Sequence, residues 1–193
     1  MKKLLITGFE PFGGEKINPS WEAVVRLPDT INDYELIKLC IPVVFGDAAQ
    51  QVIKLAEEIN ADDILCIGQS GGRNAITPEL VGINLRYASI SDNNGYKPMD
   101  EPIIKGGASA YFATLPMRRI ATKINEKGIS SHLSYSAGAY VCNDVIYTLL
   151  NHFENTKTRV GFIHVPYCTE QEKTPSMELE IIIRAIEVAI ENI

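Results

Sequence analysis

The chain has 193 residues, of which 46% are hydrophobic and 22% are charged, a composition typical of a globular protein with one sizeable core. We therefore expect residues 1–193 to form a single domain. The net charge of −6 argues against a nucleic acid or an anionic membrane surface as a partner. The apolar run near Met1 is too short for a signal sequence and no run approaches membrane-spanning length, so a cytoplasmic location is predicted.

The first third of the chain alternates between strand and helix patterns. The predicted strands cover residues 3–8, 34–41 and 63–68, and the predicted helices cover residues 19–27 and 46–59. This alternation is typical of an α/β sandwich around a mostly parallel sheet. Cys40 and Cys66 fall inside apolar strands and are interpreted as packing residues.

Residues 9–18 form the loop that leaves the first predicted strand. The loop contains Phe9 and Phe12 among glycines and a proline, and two aromatic rings are costly in a solvated loop unless they pack against something. They either line an apolar ligand pocket or cover the core of their own domain. Ligands of open α/β sheets bind beyond the carboxyl ends of the strands, and this loop lies at such an end. Its position is therefore compatible with a ligand pocket.

Residues 69–79 leave the third predicted strand at the same edge of the sheet. Their glycine pair could hold a phosphate, but it matches neither the dinucleotide fingerprint nor the P-loop. Glu79 is either a turn carboxylate or the acceptor of a histidine ring N–H, which is the third role in a catalytic triad.

The middle and the end of the chain give weaker patterns. Residues 91–107 are rich in turn formers and are predicted to be a lid or a contact between subunits. A helix is expected over 116–126, a strand over 132–136 and a terminal helix over 176–193. His132 and His152 are predicted to lie on the surface.

Cys142 stands where a run of small residues becomes an amphipathic helix. A helix start favours thiolate over thiol, so we expect the pKa of Cys142 to be lowered. His164 ends an apolar strand, and a cysteine and a histidine at the ends of neighbouring elements suggest a nucleophile and its base. The alternative is a core cysteine and a structural histidine. Cys168, in a polar loop, is a rival thiol without a helix start.

No cofactor motif is present, and the three histidines lie in different elements without a cysteine pair, so neither a cofactor nor a metal is predicted.

Five segments recur in the order that one enzyme family shows. They are Thr7-Gly-Phe-Glu-Pro-Phe-Gly-Gly14, Asn18-Pro-Ser-Trp-Glu-Ala23, Gly68-Gln-Ser-Gly-Gly-Arg73 with Ile76-Thr-Pro-Glu79, Ser136-Ala-Gly-Ala-Tyr-Val-Cys-Asn143 and Phe162-Ile-His-Val-Pro-Tyr167. Together they resemble the pyroglutamyl peptidase I (pyrrolidone-carboxylate peptidase) family of cysteine peptidases. The resemblance runs from Lys3 to the final helix.

This resemblance implies a reaction and a fold. The reaction is removal of an N-terminal pyroglutamyl (5-oxoprolyl) residue from a peptide by amide hydrolysis through a thioester. The family's nucleophile, base and third triad member match Cys142, His164 and Glu79. The implied fold is a three-layer α/β/α sandwich related to the nucleoside phosphorylases, often assembled as a homotetramer.

The pyroglutamyl ring is compact, flat and uncharged, so it calls for apolar walls and a few hydrogen bonds. Phenylalanine rings fit as the walls, with amide side chains and backbone groups as further contacts. The residues expected to bind the substrate are Phe9, Phe12, Asn18, Gln69, Tyr140 and Val141.

The chain departs from the family at Ser89, where many relatives carry an arginine that is proposed to assist at the site. Either Arg73 or Arg86 substitutes for that arginine, or the donor is missing. Two alternative functions are kept. Ser89 motivates a non-catalytic module that binds pyroglutamyl termini, and the glycine pair Gly71-Gly72 motivates a phosphorylase-like transferase that uses it on phosphate.

Overall fold

The computed structural model describes residues 1–193 and contains ten strands, five α-helices and one short 3₁₀-helix. In chain order they are β1 (Lys2–Phe9), α1 (Pro19–Arg26), β2 (Thr30–Ile31), β3 (Tyr34–Ile41), α2 (Asp47–Ile59), β4 (Asp63–Gln69), β5 (Thr77–Glu79), β6 (Val81–Ile83), β7 (Ala110–Phe112), α3 (Met117–Glu126), α4 (Val141–His152), β8 (Arg159–Val165), β9 (Tyr167–Cys168), the 3₁₀-helix (Thr169–Gln171), β10 (Ser176–Met177) and α5 (Leu179–Ile190).

Six strands form the central sheet in the order β2-β3-β1-β4-β8-β5. The four inner strands β3, β1, β4 and β8 are parallel, whereas β2 and β5 are antiparallel to their neighbours at the two edges. The prediction of a mostly parallel sheet is confirmed. The chain passes from β1 to β3 on one side and later to β4 on the other, so the strand order reverses at β1. Such a switch point is where open α/β sheets bind their ligands.

Helices cover both faces of this sheet, which makes the predicted three-layer α/β/α sandwich. Successive strand residues point to opposite faces. Leu4 and Ile6 of β1 therefore pack with α1, α3 and α5, while Leu5 and Phe9 pack with α2 and α4. Because both faces are buried, the inner strands are continuous apolar runs rather than alternating ones.

The start of α1 is held against the end of β1. Asn18 is the N-cap residue, and its side chain accepts a hydrogen bond from the Ser20 backbone N–H. A Cβ atom at Gly8 would lie 2.6 Å from Cα of Trp21, so only glycine allows this approach. The short connection keeps the loop with Phe9 and Phe12 at the carboxyl edge of the sheet.

Three predictions for the second half of the chain are wrong. Residues 132–136 form no strand, because the segment makes only a single bridge, between Ser134 and Glu79. The terminal helix begins at Leu179 rather than at 176, because residues 176–177 pair with β9. Cys168 lies in β9 and is fully buried on the α1–α3–α5 side, so it is not an accessible loop thiol.

None of the helices is both long enough and apolar enough to cross a lipid bilayer.

Candidate active site

Cys142 is the second residue of α4, and its thiol packs against β4. The N-cap residue Tyr140 gives no side-chain hydrogen bond, so the first N–H groups of α4 are not capped from that side. A Cβ atom at Gly68 would lie 2.9 Å from Sγ of Cys142 and 2.7 Å from the ring of Phe162. Glycine at this position of β4 makes room for the thiol.

Asn143, the next residue, fixes the start of α4 on the end of β6 and the residues just after it. Its amide nitrogen donates to the carbonyl oxygens of Ile83 and Leu85, both at 2.9 Å, and its amide oxygen accepts from the Ile83 N–H at 2.9 Å. Asn143 is completely buried, and these three bonds orient the helix turn that carries the thiol.

His164 lies one strand away from Gly68, which it faces in the parallel β4–β8 pairing. Since the thiol of Cys142 sits over Gly68, the imidazole and the thiol share the carboxyl edge of two neighbouring strands. The ring of His164 is only 3% exposed and packs 4.9 Å, centroid to centroid, from Phe162. No hydrogen bond joins the imidazole to the thiol in this structure, a separation that is common before substrate binds.

Glu79 ends β5, which runs antiparallel beside β8 and pairs Thr77 with His164. Its Oε1 accepts a hydrogen bond from Nδ1 of His164 at 2.7 Å, and Glu79 has no exposed surface. A carboxylate can only accept, so Nδ1 carries the proton and Nε2 of the neutral ring keeps its lone pair. This is the tautomer that a general base needs.

Arg73 is a fourth member of this group. Its Nη1 donates to the same Oε1 of Glu79 at 2.7 Å, and its Nη2 donates to the carbonyl of Ser136 at 3.2 Å. Nη1 also contacts the hydroxyl of Thr77. Sequence reasoning included Arg73 in a family segment but did not foresee its contact with Glu79, because no spacing pattern reveals that pairing.

Burial is the largest influence on the pKa values of the Cys142 thiol and the His164 imidazole. It raises the pKa of the Cys142 thiol to about 12, and the negative charge of Glu79 adds to the rise. Burial also lowers the pKa of His164, although its bond to Glu79 opposes that change. The expectation of a lowered thiol pKa is therefore wrong for the resting site, where thiol and imidazole are both neutral.

Glu79 itself is ionised. Burial pushes the pKa of its carboxyl upward, but the hydrogen bond and charge of His164, together with the hydroxyl of Ser134 and the charge of Arg73, outweigh burial and hold this pKa below its ordinary value. The site thus contains one buried negative charge, one partly exposed positive charge and a neutral cysteine and histidine.

A small apolar pocket opens beside the thiol. It contains all six residues that were expected to bind the substrate and one that sequence reasoning missed, Val43. Val43 follows the end of β3, where the sequence shows only an apolar connection. The lining residues are Phe9, Phe12, Asn18, Val43, Gln69, Tyr140, Val141 and Cys142.

The two amide side chains of the pocket differ in what they can still bind. The Oδ1 atom of Asn18 accepts from the backbone N–H and the hydroxyl of Ser20, and its Nδ2 donates to the carbonyl of Glu10 at 3.0 Å. Gln69 accepts at Oε1 from Gln171 at 2.9 Å, while its Nε2 has no partner in the protein. Gln69 therefore keeps free donors, and Asn18 is largely engaged as a helix cap.

Aromatic rings and residues 91–96 support the outer wall of the pocket. Tyr140 packs between Phe12 and Phe45, with ring centroids 6.3 and 5.3 Å away. Its hydroxyl donates to the carbonyl of Ser91 at 3.0 Å, and the buried Asp92 accepts from the Phe45 N–H at 3.0 Å. Part of the turn-rich segment thus braces the pocket.

Arg86, the other arginine near the position of Ser89, does not reach this group. Its Nε donates to the buried carboxylate of Asp144 at 2.5 Å, and its guanidinium lies 5.8 Å from the ring centroid of Phe45. Ser89 itself is exposed. Of the two arginines considered as substitutes, only Arg73 contacts the Glu79–His164 pair.

A family model described as pyroglutamyl peptidase matches residues 2–193. The chain belongs to the pyroglutamyl peptidase family. A pyrrolidone-carboxylate peptidase from Thermococcus onnurineus is 48% identical over 195 residues, and one from Brachyspira hyodysenteriae is 46% identical over 196 residues. In both cases the match covers 98% of this chain and 98% of the relative.

Solved structures of family members have the same fold. Pyroglutamyl peptidase I from Bacillus amyloliquefaciens superposes with a TM-score of 0.95 at 41% identity, covering 100% of this chain and 96% of that one. A variant pyrrolidone carboxyl peptidase from Pyrococcus furiosus gives a TM-score of 0.93 at 44% identity, covering 98% and 96%. The family and the fold predicted from the five segments are confirmed, and the transferase and the non-catalytic module are not favoured.

Proposed function

We propose that this pyroglutamyl peptidase family member cleaves N-terminal pyroglutamate from peptides with Cys142 as nucleophile, His164 as base and Glu79 as the residue that orients the base. One observation carries the assignment of roles: the thiol lines a small apolar pocket and lies over the strand position that pairs with His164. The three groups come from α4, β8 and β5, so rigid elements position each of them.

In the first step, Sγ of Cys142 attacks the carbonyl carbon of the scissile amide, which joins the pyroglutamyl residue to the next one, while Nε2 of His164 takes the thiol proton. Because the thiol is neutral at rest, proton transfer and attack are coupled. The carbonyl oxygen becomes an oxyanion, and the backbone N–H of Cys142 at the start of α4 is a candidate donor to it. Glu79 stabilises the imidazolium that forms.

In the second step, the tetrahedral intermediate collapses to a thioester as the C–N bond breaks. His164 gives its proton to the leaving amine, which restores the neutral base. A water molecule then attacks the thioester, His164 takes a proton from it, and the thiolate leaves and recovers that proton. Free pyroglutamate is released and the enzyme returns to its resting state.

The pocket supports selection of an uncharged ring. None of its eight lining side chains carries a formal charge when the thiol is protonated, so a substrate ammonium group would be buried without a partner. The free Nε2 of Gln69 can donate to the lactam carbonyl. A prolyl terminus has the ammonium and lacks this carbonyl, so it is expected to be rejected.

The experiment compares hydrolysis of a pyroglutamyl chromogenic amide with that of a prolyl amide. We expect only the pyroglutamyl amide to turn over, and Cys142→Ser to lower kcat at least about 10³-fold. Cys40→Ala, which removes a thiol on β3, serves as control and should stay within about threefold of wild type. Binding without turnover, or phosphate-dependent nucleoside cleavage, would replace this function by one of the alternatives.

The quaternary structure and location are also proposals. We infer one catalytic domain over residues 1–193, assembled as a homotetramer in the cytoplasm. Phe112 and Tyr135 support an assembly, being 70% and 64% exposed, and four free cysteines suit a reducing compartment. Light scattering that gives the mass of a monomer, or recovery of the enzyme from an extracytoplasmic fraction, would contradict these proposals.

A further inference from the structure

We propose that Arg73 is a positioning residue for the hydrolysis described above: it fixes the Glu79 carboxylate, ties it to the turn before the Cys142 helix, and opposes its negative charge. This inference rests on the proposed function. It concerns a residue that touches neither the pocket nor the reacting atoms, and acts through Glu79.

The geometry at one oxygen atom is the first support. Oε1 of Glu79 accepts from Nη1 of Arg73 and from Nδ1 of His164, each at 2.7 Å. Oε2 is buried and accepts no hydrogen bond of good geometry, although the hydroxyl of Ser134 also favours the ionised carboxylate. Because both contacts use one oxygen, Arg73 competes with His164 for the same electron density and limits how strongly Glu79 holds the imidazole.

The remaining contacts of Arg73 give it a second task. Nη2 donates to the carbonyl of Ser136, in the turn that leads into α4, and Nη1 contacts Thr77 on β5. The guanidinium therefore connects the strand that carries Glu79 with the turn that leads to Cys142. A lysine would supply the charge at a single point but not this fork of donors.

Few titratable groups lie around the thiol of Cys142 and the imidazole of His164. His164 faces Glu79 on β5 and Arg73 in the preceding loop, and Cys142 faces these two and Cys66 on β4. Arg73 is 25% exposed at its side chain, whereas Glu79 is fully buried. The positive charge lowers the pKa of both His164 and Cys142, against the effect of Glu79 on each. Removing it is expected to raise both pKa values.

The test uses Arg73→Met and Arg73→Lys. We expect Arg73→Met to lower kcat by about 10- to 100-fold with KM changed less than about threefold, because Arg73 does not line the pocket. The acid limb of kcat/KM should move to higher pH, and alkylation of Cys142 by iodoacetamide at pH 8 should slow. Arg73→Lys should keep the wild-type limb but recover only part of kcat.

The matched control is Arg159→Met. Arg159 also pairs with a buried carboxylate, donating from Nε to Oδ1 of Asp63 at 2.7 Å, but it does so at the opposite end of β4 and β8. Its loss should lower the unfolding midpoint without moving the acid limb or the alkylation rate. A structural role for Arg73 predicts that same behaviour for Arg73→Met.

The inference is overturned if Arg73→Met and Arg73→Lys show the same acid limb, or if neither limb nor alkylation rate changes. It is also overturned if Arg73→Met retains wild-type kcat. Failure of the proposed function is recognised separately, since the unaltered protein would then show no turnover of the pyroglutamyl amide, or Cys142→Ser would keep full turnover. The alkylation rate needs no substrate, so the charge effect of Arg73 is measured in either case.

Discussion

The two ends of the central strands each hold an arginine paired with a buried carboxylate. At the amino end, Arg159 donates from Nε and Nη2 to the two oxygens of Asp63, at 2.7 and 2.8 Å. Tyr34 donates its hydroxyl to the same carboxylate. Each oxygen of Asp63 therefore has a partner, and all three residues belong to strands of one sheet.

The carboxyl end is built differently. Arg73 and His164 both donate to Oε1 of Glu79, while Oε2 stays buried without a partner. Buried polar atoms without partners are rare in folded proteins and call for an explanation. The fully paired cluster around Asp63 stabilises the fold. In the incompletely paired cluster, the negative charge of Glu79 can stabilise the proton that His164 takes up. Complete pairing and the proposed catalytic use are thus separated along the same strands.

The largest expected effect tests the catalytic side of this contrast. Glu79→Gln should lower kcat by about 10²- to 10⁴-fold, because the neutral amide cannot stabilise the imidazolium and can select the wrong tautomer. Turnover of the pyroglutamyl amide measures the loss. Asp63→Asn is the matched substitution at the other end and should leave kcat within about threefold when the protein is folded. Equal losses of kcat would remove the distinction between the two ends.

The same two variants should show the reverse order in stability. Asp63→Asn removes the charge from a doubly bonded pair and should lower the free energy of unfolding by about 2 kcal/mol. Glu79→Gln should cost less than Asp63→Asn, since one of its oxygens accepts no hydrogen bond of good geometry. Urea denaturation followed by circular dichroism measures both values. A larger loss for Glu79→Gln would show that the catalytic cluster also carries the fold.

A smaller effect is expected in the pH dependence of kcat/KM and of thiol alkylation. It tests whether the thiol and the imidazole are both neutral before substrate binds. Burial lowers the pKa of His164 below the ordinary histidine value, so the acid limb of kcat/KM should have its midpoint below about pH 6.5. The Cys142 pKa of about 12 predicts that iodoacetamide alkylation still accelerates between pH 8 and 10. A plateau of alkylation near pH 7 would instead indicate a resting thiolate and imidazolium.

Much of the carboxyl end could be predicted because its residues follow elements with clear patterns. Phe9, Gln69 and His164 end apolar strands, and Cys142 begins an amphipathic helix, so their common edge follows from a parallel sheet. The segments shared with a known family then supplied the expected chemistry. The pocket residues were found in the same way, and all of them line one cavity.

What remained hidden depends on contacts between distant parts of the chain. The salt bridge from Arg73 to Glu79 follows no helical or strand spacing, and the position of Val43 depends on how the chain turns after β3. Cys168 looked accessible because its neighbours are polar, yet β9 pairs with β10 and buries it. The expected direction of the thiol pKa was wrong because burial, which a sequence does not show, outweighs the lowering effects of Arg73 and of the Cys142 backbone N–H.

The smallest expected effect concerns the loops that support the carboxyl end of the strands. The Asp63 cluster at the amino end consists of strand residues alone. Asn93 donates from Nδ2 to Glu10 at 2.7 Å and to the carbonyl of Pro11 at 3.2 Å, and its N–H donates to Val43 at 2.9 Å. The side chain of the neighbouring Asn94 makes no hydrogen bond; only its backbone N–H does, to Asp92. Asn94 is therefore a control of the same residue type.

Asn93→Ala should raise KM for the pyroglutamyl amide about two- to fivefold, the loss expected for exposed hydrogen bonds, with kcat unchanged. Asn94→Ala should leave both constants at their wild-type values. The split between KM and kcat is the informative result, because Asn93 touches the chain around Phe12 and Val43 but not the Glu79–His164 pair. A fall in kcat for Asn93→Ala would mean that loops position the reacting groups as well as the pocket, and the rigid strands would then not suffice to hold the catalytic cluster.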